Sequence, residues 1–197
     1  MRNCILYIAT SLDGYMADRD GRVDWLTDSG NGEGDESYSR FLEQVDTIVM
    51  GWNTYHQIVS ELSPGQWPYC GMTCYVITHR ALSSTDSIRF VNCRPCELIR
   101  SLKTQAGRGI WICGGAQIVA PLLASGAIDR YHISVIPMIL GGGIPLFPAG
   151  TPQIPLRLLR AESHCGITEL VYLPRNPAPQ TEPDRANTSP NTAKCTG

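Results

Sequence analysis

Short apolar runs separated by helix-like segments constrain this chain more than any other feature. Residues 4–10 (Cys-Ile-Leu-Tyr-Ile-Ala-Thr), 47–51 (Thr-Ile-Val-Met-Gly), 74–78 (Cys-Tyr-Val-Ile-Thr) and 110–113 (Ile-Trp-Ile-Cys) are apolar on both faces. Such runs read as strands buried on both sides of a sheet. A weaker strand is expected at 88–91, and others at 130–136, near 156–163 and at 167–173. Helical patterns lie between the early strands. Tyr38, Phe41, Leu42 and Val45 share a face over 36–45, and a helical turn passes through Thr54, Tyr55 and Ile58. Pro95 opens a helix to about Ala106. Ala116–Ser125 is another helix, in which Pro121 predicts a kink. Strands alternate with helices up to residue 136 and then follow one another without helices. That order specifies an α/β fold: a mostly parallel central sheet with flanking helices and an antiparallel C-terminal hairpin.

One folded unit is expected over residues 1–173. Residues 174–197 hold five of the 14 prolines, with only Ala178, Ala186, Ala193 and Cys195 apolar, which is the composition of a disordered Pro-rich tail. Net charge is −2, from 16 basic and 18 acidic residues. No basic field exists to hold a polyanion, so nucleic acid is not an expected partner. The longest apolar stretch, 133–147, is broken by Pro137, Pro145 and Gly141-Gly142-Gly143 and falls short of a membrane span. The N-terminal apolar run ends at Asp13, too early for a secretory signal. A cytoplasmic protein with reduced cysteines is the expectation.

Cys93-Arg-Pro-Cys96, taken with Cys70 and Cys74, could supply four zinc ligands and make the chain a zinc-binding interaction domain. Cys74 opens one expected strand, however, and Cys93 follows another. Parallel neighbours would put the two pairs at opposite ends of the sheet, and no metal ligand is assigned. His56, His132 and His164 match no ligand spacing. Asp13 beside Gly14 reads either as a turn residue or as a group orienting substrate.

The strongest chemical signal is a strand running through Gly114-Gly115 straight into a helix. Bare glycines let a ligand approach the backbone, and the helix start offers free N–H groups to a phosphate. Gly51 ends a second strand before Trp52-Asn53-Thr54, and a third strand ends in Thr78-His79-Arg80. Glycine, hydroxyl and cation at three strand ends suit the phosphates of one dinucleotide. No G-x-G-x-x-G and no Walker loop occurs, so neither a standard Rossmann site nor a P-loop is expected.

The ordered set Ser11-Leu-Asp-Gly-Tyr-Met-Ala17, Val45-Asp-Thr-Ile-Val-Met-Gly51 with Thr54-Tyr55, Thr78-His-Arg80, Ile112-Cys-Gly-Gly-Ala116, Ile136-Pro137 to Leu140-Gly141 and Gly143-Ile-Pro-Leu-Phe147 resembles the dihydrofolate reductase superfamily. The resemblance lies with small stand-alone proteins related to the reductase domain of bifunctional riboflavin-pathway enzymes. It implies a dihydrofolate-reductase-like fold and a cytoplasmic NADPH-dependent oxidoreductase of the pyrimidine reductase type, with NADH as a second cofactor. Hydride would pass to a small pterin- or pyrimidine-class substrate, and the protein would form a homodimer through the 130–147 region. Carried over by position, Ala9, Thr10 and Trp25 would lie by the nicotinamide. Gly51 and Thr54 would meet the phosphates, and Gly114, Gly115, Ala116, Gln117 and Ile118 would wrap the pyrophosphate. Thr78, His79 and Arg80 would lie at the adenosine end. Asp35 would be the substrate-side carboxylate, with Glu33 and Glu36 as alternatives, and Asp13 would face substrate.

Three departures stand out. Trp52 occupies a position where the family usually has arginine; it could stack on adenine or cover the sheet edge. The Asp-Asp-Pro and following Arg that hold a ribose phosphate are replaced by Tyr55-His-Gln-Ile-Val-Ser-Glu-Leu62, and Cys113 stands where Glu usually precedes Gly-Gly. A nucleotide-binding protein of the same fold without reductase activity is therefore an alternative reading.

Overall fold

The computed structural model describes residues 1–26 and 36–175. In chain order the elements begin with β1 (Cys4–Ser11), β2 (Tyr15–Ala17), a 3-10 turn at Asp24–Leu26, α1 (Glu36–Leu42), β3 (Val45–Gly51) and α2 (Trp52–Gln57), which continues as a π-helical segment at Ile58–Leu62. Next come β4 (Thr73–Ile77), β5 (Ile88–Val91), α3 (Pro95–Lys103), β6 (Gly109–Gly114) and α4 (Ala116–Ala124). The chain closes with β7 (Arg130–Ile136), β8 (Ile144–Pro145), β9 (Leu156–His164) and β10 (Ile167–Pro174).

The main sheet has the order β5-β4-β3-β6-β1-β7-β10-β9. Its first six strands are parallel, and β10 and β9 are antiparallel. Strand alternation divides the core into two layers. Leu6, Ile110 and Ile112 pack with Ile99, Leu102, Val119 and Leu122 of α3 and α4. Ile5, Ile48, Met50 and Trp111 pack with Phe41 of α1 on the other face.

Several expected boundaries move. The helix over 36–45 stops at Leu42, because the Gln44 N–H turns back to the Phe41 carbonyl and Val45 opens β3 instead. The helix from Pro95 stops at Lys103, where the Thr104 hydroxyl donates to the Ser101 carbonyl (2.7 Å). The helix through Pro121 continues to Ala124, held by its buried Ile118, Val119, Leu122 and Leu123. β2 and β8 pair antiparallel in a separate two-stranded sheet that periodicity did not disclose, since both are too short to alternate. Gly143 permits that pairing: at φ +148, a Cβ there would sit 2.1 Å from the Ala17 carbonyl oxygen. Asp35 and the segment 176–197 lie outside the described residues.

The amino ends of the parallel strands are tied by one guanidinium. Arg2 pairs with the Asp46 carboxylate and donates to Thr47 Oγ1 (2.6 Å) and the Arg108 carbonyl (2.7 Å). Asp46 in turn accepts the Arg108 N–H (2.6 Å). This joins the starts of β1, β3 and β6. Removing Arg2 empties a buried cation site and leaves the half-buried Asp46 carboxylate without its counter-charge, which costs more than losing a surface pair. Arg2→Ala is expected to lower the unfolding free energy by ~3 kcal/mol, read as a fall in the urea midpoint. An unchanged midpoint would refute the clamp.

Candidate active site

The carboxyl ends of β1, β3, β4 and β6 open into one cleft of about 1430 Å³. Open α/β sheets bind ligands at this edge. Its floor is built from two glycine corners. Gly114 (φ +142) and Gly115 (φ +88) turn β6 into α4. A Cβ on Gly115 would lie 3.4 Å from Thr54 Oγ1 and 3.7 Å from the Gly51 nitrogen, and one on Gly51 would lie 3.3 Å from Ile118. The two corners therefore face each other. The Ile118 N–H already donates to the Gly115 carbonyl (2.8 Å); the Ala116 and Gln117 N–H groups precede the first i→i−4 acceptor of α4 and point out of the helix start.

At the β4 end, Thr78 Oγ1 accepts the Arg80 N–H (3.1 Å), and His79 Nδ1 lies 2.9 Å from Asn92 Oδ1. The Arg80 guanidinium sits over the Trp52 ring, 4.7 Å from its centroid, and Trp52 also meets Tyr55, His56 and Phe90. This stack holds a cation at the cleft without burying it.

The other end, beneath α1, is aromatic. Tyr7, Tyr38, Tyr69 and Trp111 line it with Cys113. Tyr7 stacks on Phe41 with centroids 4.3 Å apart. Behind Tyr7 lies Glu169, 1% exposed. It stands level with Ala9 across the sheet, since both pair with Ser134. The Tyr7 hydroxyl donates to Glu169 Oε1 (3.3 Å), the Ser37 hydroxyl donates to Oε2, and His132 and Arg160 each approach Oε2 to 3.6 Å. Burial lowers the pKa of His132, with Arg160 and Arg130 acting in the same sense and Glu169 opposing.

Most residues expected at a cofactor site line this cleft: Ala9, Gly51, Trp52, Thr54, Thr78, His79, Arg80 and the run 114–118. Three of the expected residues do not line it. Thr10 is buried and does not line the cleft, although Tyr7, Ile8 and Ala9 before it on β1 all do. Trp25 is buried with Ile136 and Ile167, with Ala9 packed against this group, and supports the cleft without lining it. Asp13 accepts the Ser11 hydroxyl (2.7 Å) and the N–H groups of Leu140 (3.1 Å) and Gly141 (2.8 Å). It clamps the loop after β7; the Ser11 hydrogen bond leads in holding its pKa low. The proposed catalytic Asp35 falls outside the described residues.

The zinc reading fails on register. Parallel pairing aligns Cys74 with Ile88, so Cys93, past the end of β5, lies at the opposite end of the sheet. Cys96 donates to the Pro121 carbonyl (3.4 Å) and Cys70 to the Trp67 carbonyl (3.5 Å). Among the described residues no group of three His, Cys, Asp or Glu is placed to hold a metal. Among the described residues, too, no helix is long and apolar enough to cross a membrane.

Residue-level reading missed the aromatic wall. Tyr7 could have been found two residues before Ala9, on the same face of β1, and Trp111 two before Cys113. Tyr69 carries no such signal, because it sits in the irregular segment between Leu62 and β4.

Comparison with known proteins agrees with this architecture. The RibD C-terminal domain family matches residues 2–170. The uncharacterised Bacillus subtilis protein YwjB is 42% identical over 173 residues, spanning 87% of this chain and 98% of its own. A crystal structure described as a riboflavin biosynthesis protein from Shewanella sp. PV-4 superposes with a TM-score of 0.77 at 29% identity, covering 89% of this chain and all of that one. The Thermotoga maritima diaminohydroxyphosphoribosylaminopyrimidine deaminase/5-amino-6-(5-phosphoribosylamino)uracil reductase gives a TM-score of 0.64 at 13% identity, over 88% of this chain and 57% of its own. The fold is thus the dihydrofolate-reductase-like fold of RibD reductase domains.

Two outcomes follow from this geometry. Gly115→Ala strains a positive φ and pushes a methyl group against Thr54; it is expected to cost ~1–2 kcal/mol and to weaken any nucleotide bound at the two corners by about tenfold or more, measured by thermal unfolding and ligand titration. His132 governs an acid-sensitive step. Its folded pKa is lowered, so below about pH 6.5 the unfolded chain takes up a proton that folded His132 refuses. Its share of stability is present above that pH and is lost as pH falls towards the lowered value. Denaturation midpoints should decline on acidification from about pH 6.5, and less steeply in His132→Asn. Equal slopes would remove His132 from this role.

Proposed function

Because the chain belongs to the RibD C-terminal domain family, we propose that it is a cytoplasmic oxidoreductase that binds NADPH and reduces a small pterin- or pyrimidine-class substrate, as a homodimer. The glycine cradle carries this reading. Gly51, Thr54 and Gly114–Gly115 converge so closely that a single added methyl at Gly115 reaches the opposing corner. Backbone this bare beside a helix start fits a pyrophosphate, whose charge the free N–H groups would meet.

In this reading, Gly51, Thr54, Gly114, Gly115, Ala116, Gln117 and Ile118 hold the pyrophosphate. Thr78, His79 and Arg80 hold the adenosine end, with Arg80 supplying the cation for a 2′-phosphate. Bound dihydronicotinamide supplies the hydride. The chain's own contribution is alignment and exclusion of water. Small Ala9 keeps the β1 edge open to a flat ring. The loop carrying Gly21, tied to α2 where Gln57 Nε2 donates to the Gly21 carbonyl (3.3 Å), walls the cleft from above. The proton arrives through solvent or from Asp35.

Trp52 and Cys113, at positions where the family usually has charged side chains, favour a second reading: nucleotide binding without turnover. Fluorescence titration with NADPH and NADH, followed by NADPH oxidation over dihydrofolate, biopterin-like and riboflavin-precursor substrates, separates the two. Absence of binding at high micromolar concentration sinks the reductase reading; tight binding without turnover favours the second. Arg80→Ala is expected to weaken NADPH by about tenfold and leave NADH nearly unchanged. An equal loss for both cofactors would place Arg80 on the adenine instead.

A further inference from the structure

A second concavity, of about 370 Å³, lies at the amino ends of the parallel strands, at the edge opposite the cleft. Arg2, Gln44, Gly107, Arg108 and Arg130 line it. Sheet order brings these residues together. Arg2 precedes β1, Gln44 precedes β3, Arg108 precedes β6 and Arg130 opens β7, and these four strands are consecutive neighbours.

Arg130 Nη1 donates to Gln44 Oε1 (3.0 Å), with β1 and β6 between the two residues. The side chain therefore crosses the feet of two strands. Its Nε is buried and meets no acceptor among the described residues. Arg108 Nη1 donates to the Glu43 carbonyl (3.0 Å). Among the described residues neither guanidinium is paired with a carboxylate. The acids of this edge are engaged elsewhere or stand off the pocket. Asp46 meets Arg2 and the Arg108 N–H. Asp129 meets Lys103 (2.6 Å) and the Cys4 N–H (2.7 Å), and Glu43 does not line the pocket.

Three guanidiniums thus stand against one carboxylate. The carbonyl ends of α1 and α3 also face this edge, each worth about half a negative charge. The balance stays positive by about one unit. A buried N–H without an acceptor is rare, and a missing ion is one of its few explanations. An oxygen-rich anion would supply that acceptor, since the planar fork of an arginine takes two oxygens at once.

We propose that this pocket is an oxyanion site that takes a phosphate group between Arg108 and Arg130, with Arg2 as a fixed background charge. The site is separate from the cleft and independent of the reductase reading. A ligand there joins the turns before β3 and β6 to the start of β7, so its binding stabilises the fold.

Isothermal titration calorimetry of the full chain with sodium phosphate, ribose 5-phosphate and ribose, at an ionic strength fixed by sodium chloride, tests the assignment. Phosphate is expected to bind with a Kd of about 1 mM or below and to raise the melting temperature. Arg130→Gln and Arg108→Gln should each weaken it by about fivefold or more. Gly115→Ala and Arg80→Ala, which alter the cleft, should change it by less than about twofold. Far-UV circular dichroism confirms that the variants fold. Arg108 is exposed, so Arg108→Gln keeps the test open if Arg130→Gln does not fold. Tighter binding of ribose 5-phosphate than of phosphate assigns a phosphomonoester as the ligand; equal or weaker binding assigns free phosphate. Absence of phosphate binding up to about 10 mM overturns the proposal. So does an affinity untouched by every folded amino-edge variant, an affinity lost in the cleft variants alone, or binding of ribose as tight as that of ribose 5-phosphate.

Discussion

Parallel pairing is the constraint on which this protein turns. Six neighbouring strands run the same way, so each must return by a crossover and all deliver their carboxyl ends to one edge. The chain at that edge leaves β3 and β6 through glycine and enters a helix at once. Two crossovers that are distant in sequence meet there within van der Waals reach. A site of this kind is a by-product of topology before it is a device for binding. The opposite edge has the complementary task. There Arg2 gathers β1, β3 and β6 through Asp46, Thr47 and the Arg108 carbonyl. The amino ends are tied side chain to side chain, while the carboxyl end of β6 turns through two positive-φ glycines.

The strands were legible because both their faces are buried. Cys4–Ser11 and Gly109–Gly114 carry apolar residues at nearly every position, a pattern that only a covered sheet rewards. The glycine corners were legible for a related reason: a strand that runs through Gly-Gly into a helical pattern has few other interpretations. What escaped notice depends on contacts remote in sequence. β2 and β8 are three and two residues long, and only the approach of Gly143 to Ala17 makes them a pair. Asp13 looked like either a turn residue or a substrate group. Its partners lie 127 and 128 residues away, and local reading has no access to them. Thr10 and Ala9 are adjacent, yet Ala9 lines the cleft and Thr10 is buried at the end of β1; a resemblance carried over as a pair loses that distinction.

The cleft is electrostatically divided along the sheet. At β4 the cation is kept exposed over an indole face, which stabilises it by its quadrupole and avoids the penalty of desolvation. Beneath α1 the described wall is aromatic, and buried Glu169 is met there by Tyr7, Ser37, His132 and Arg160. One continuous cleft thus joins a cationic end at β4 to an aromatic end beneath α1, with Ala9 on its β1 wall.

Trp52 illustrates how a departure from a family pattern can preserve a physical role. An arginine directly after Gly51 would project a charge from the first turn of α2, where the positive end of the helix opposes it. Tryptophan removes that conflict and still offers a broad face. Arg80 comes from the neighbouring strand and lies on that face, and its N–H is capped by Thr78 Oγ1. The cation has moved from one strand end to the next, and the aromatic ring that replaced it has become its support. On the proposed reading, affinity for a phosphate at this end depends on this stacked pair, Arg80 carrying the charge and Trp52 holding it in place.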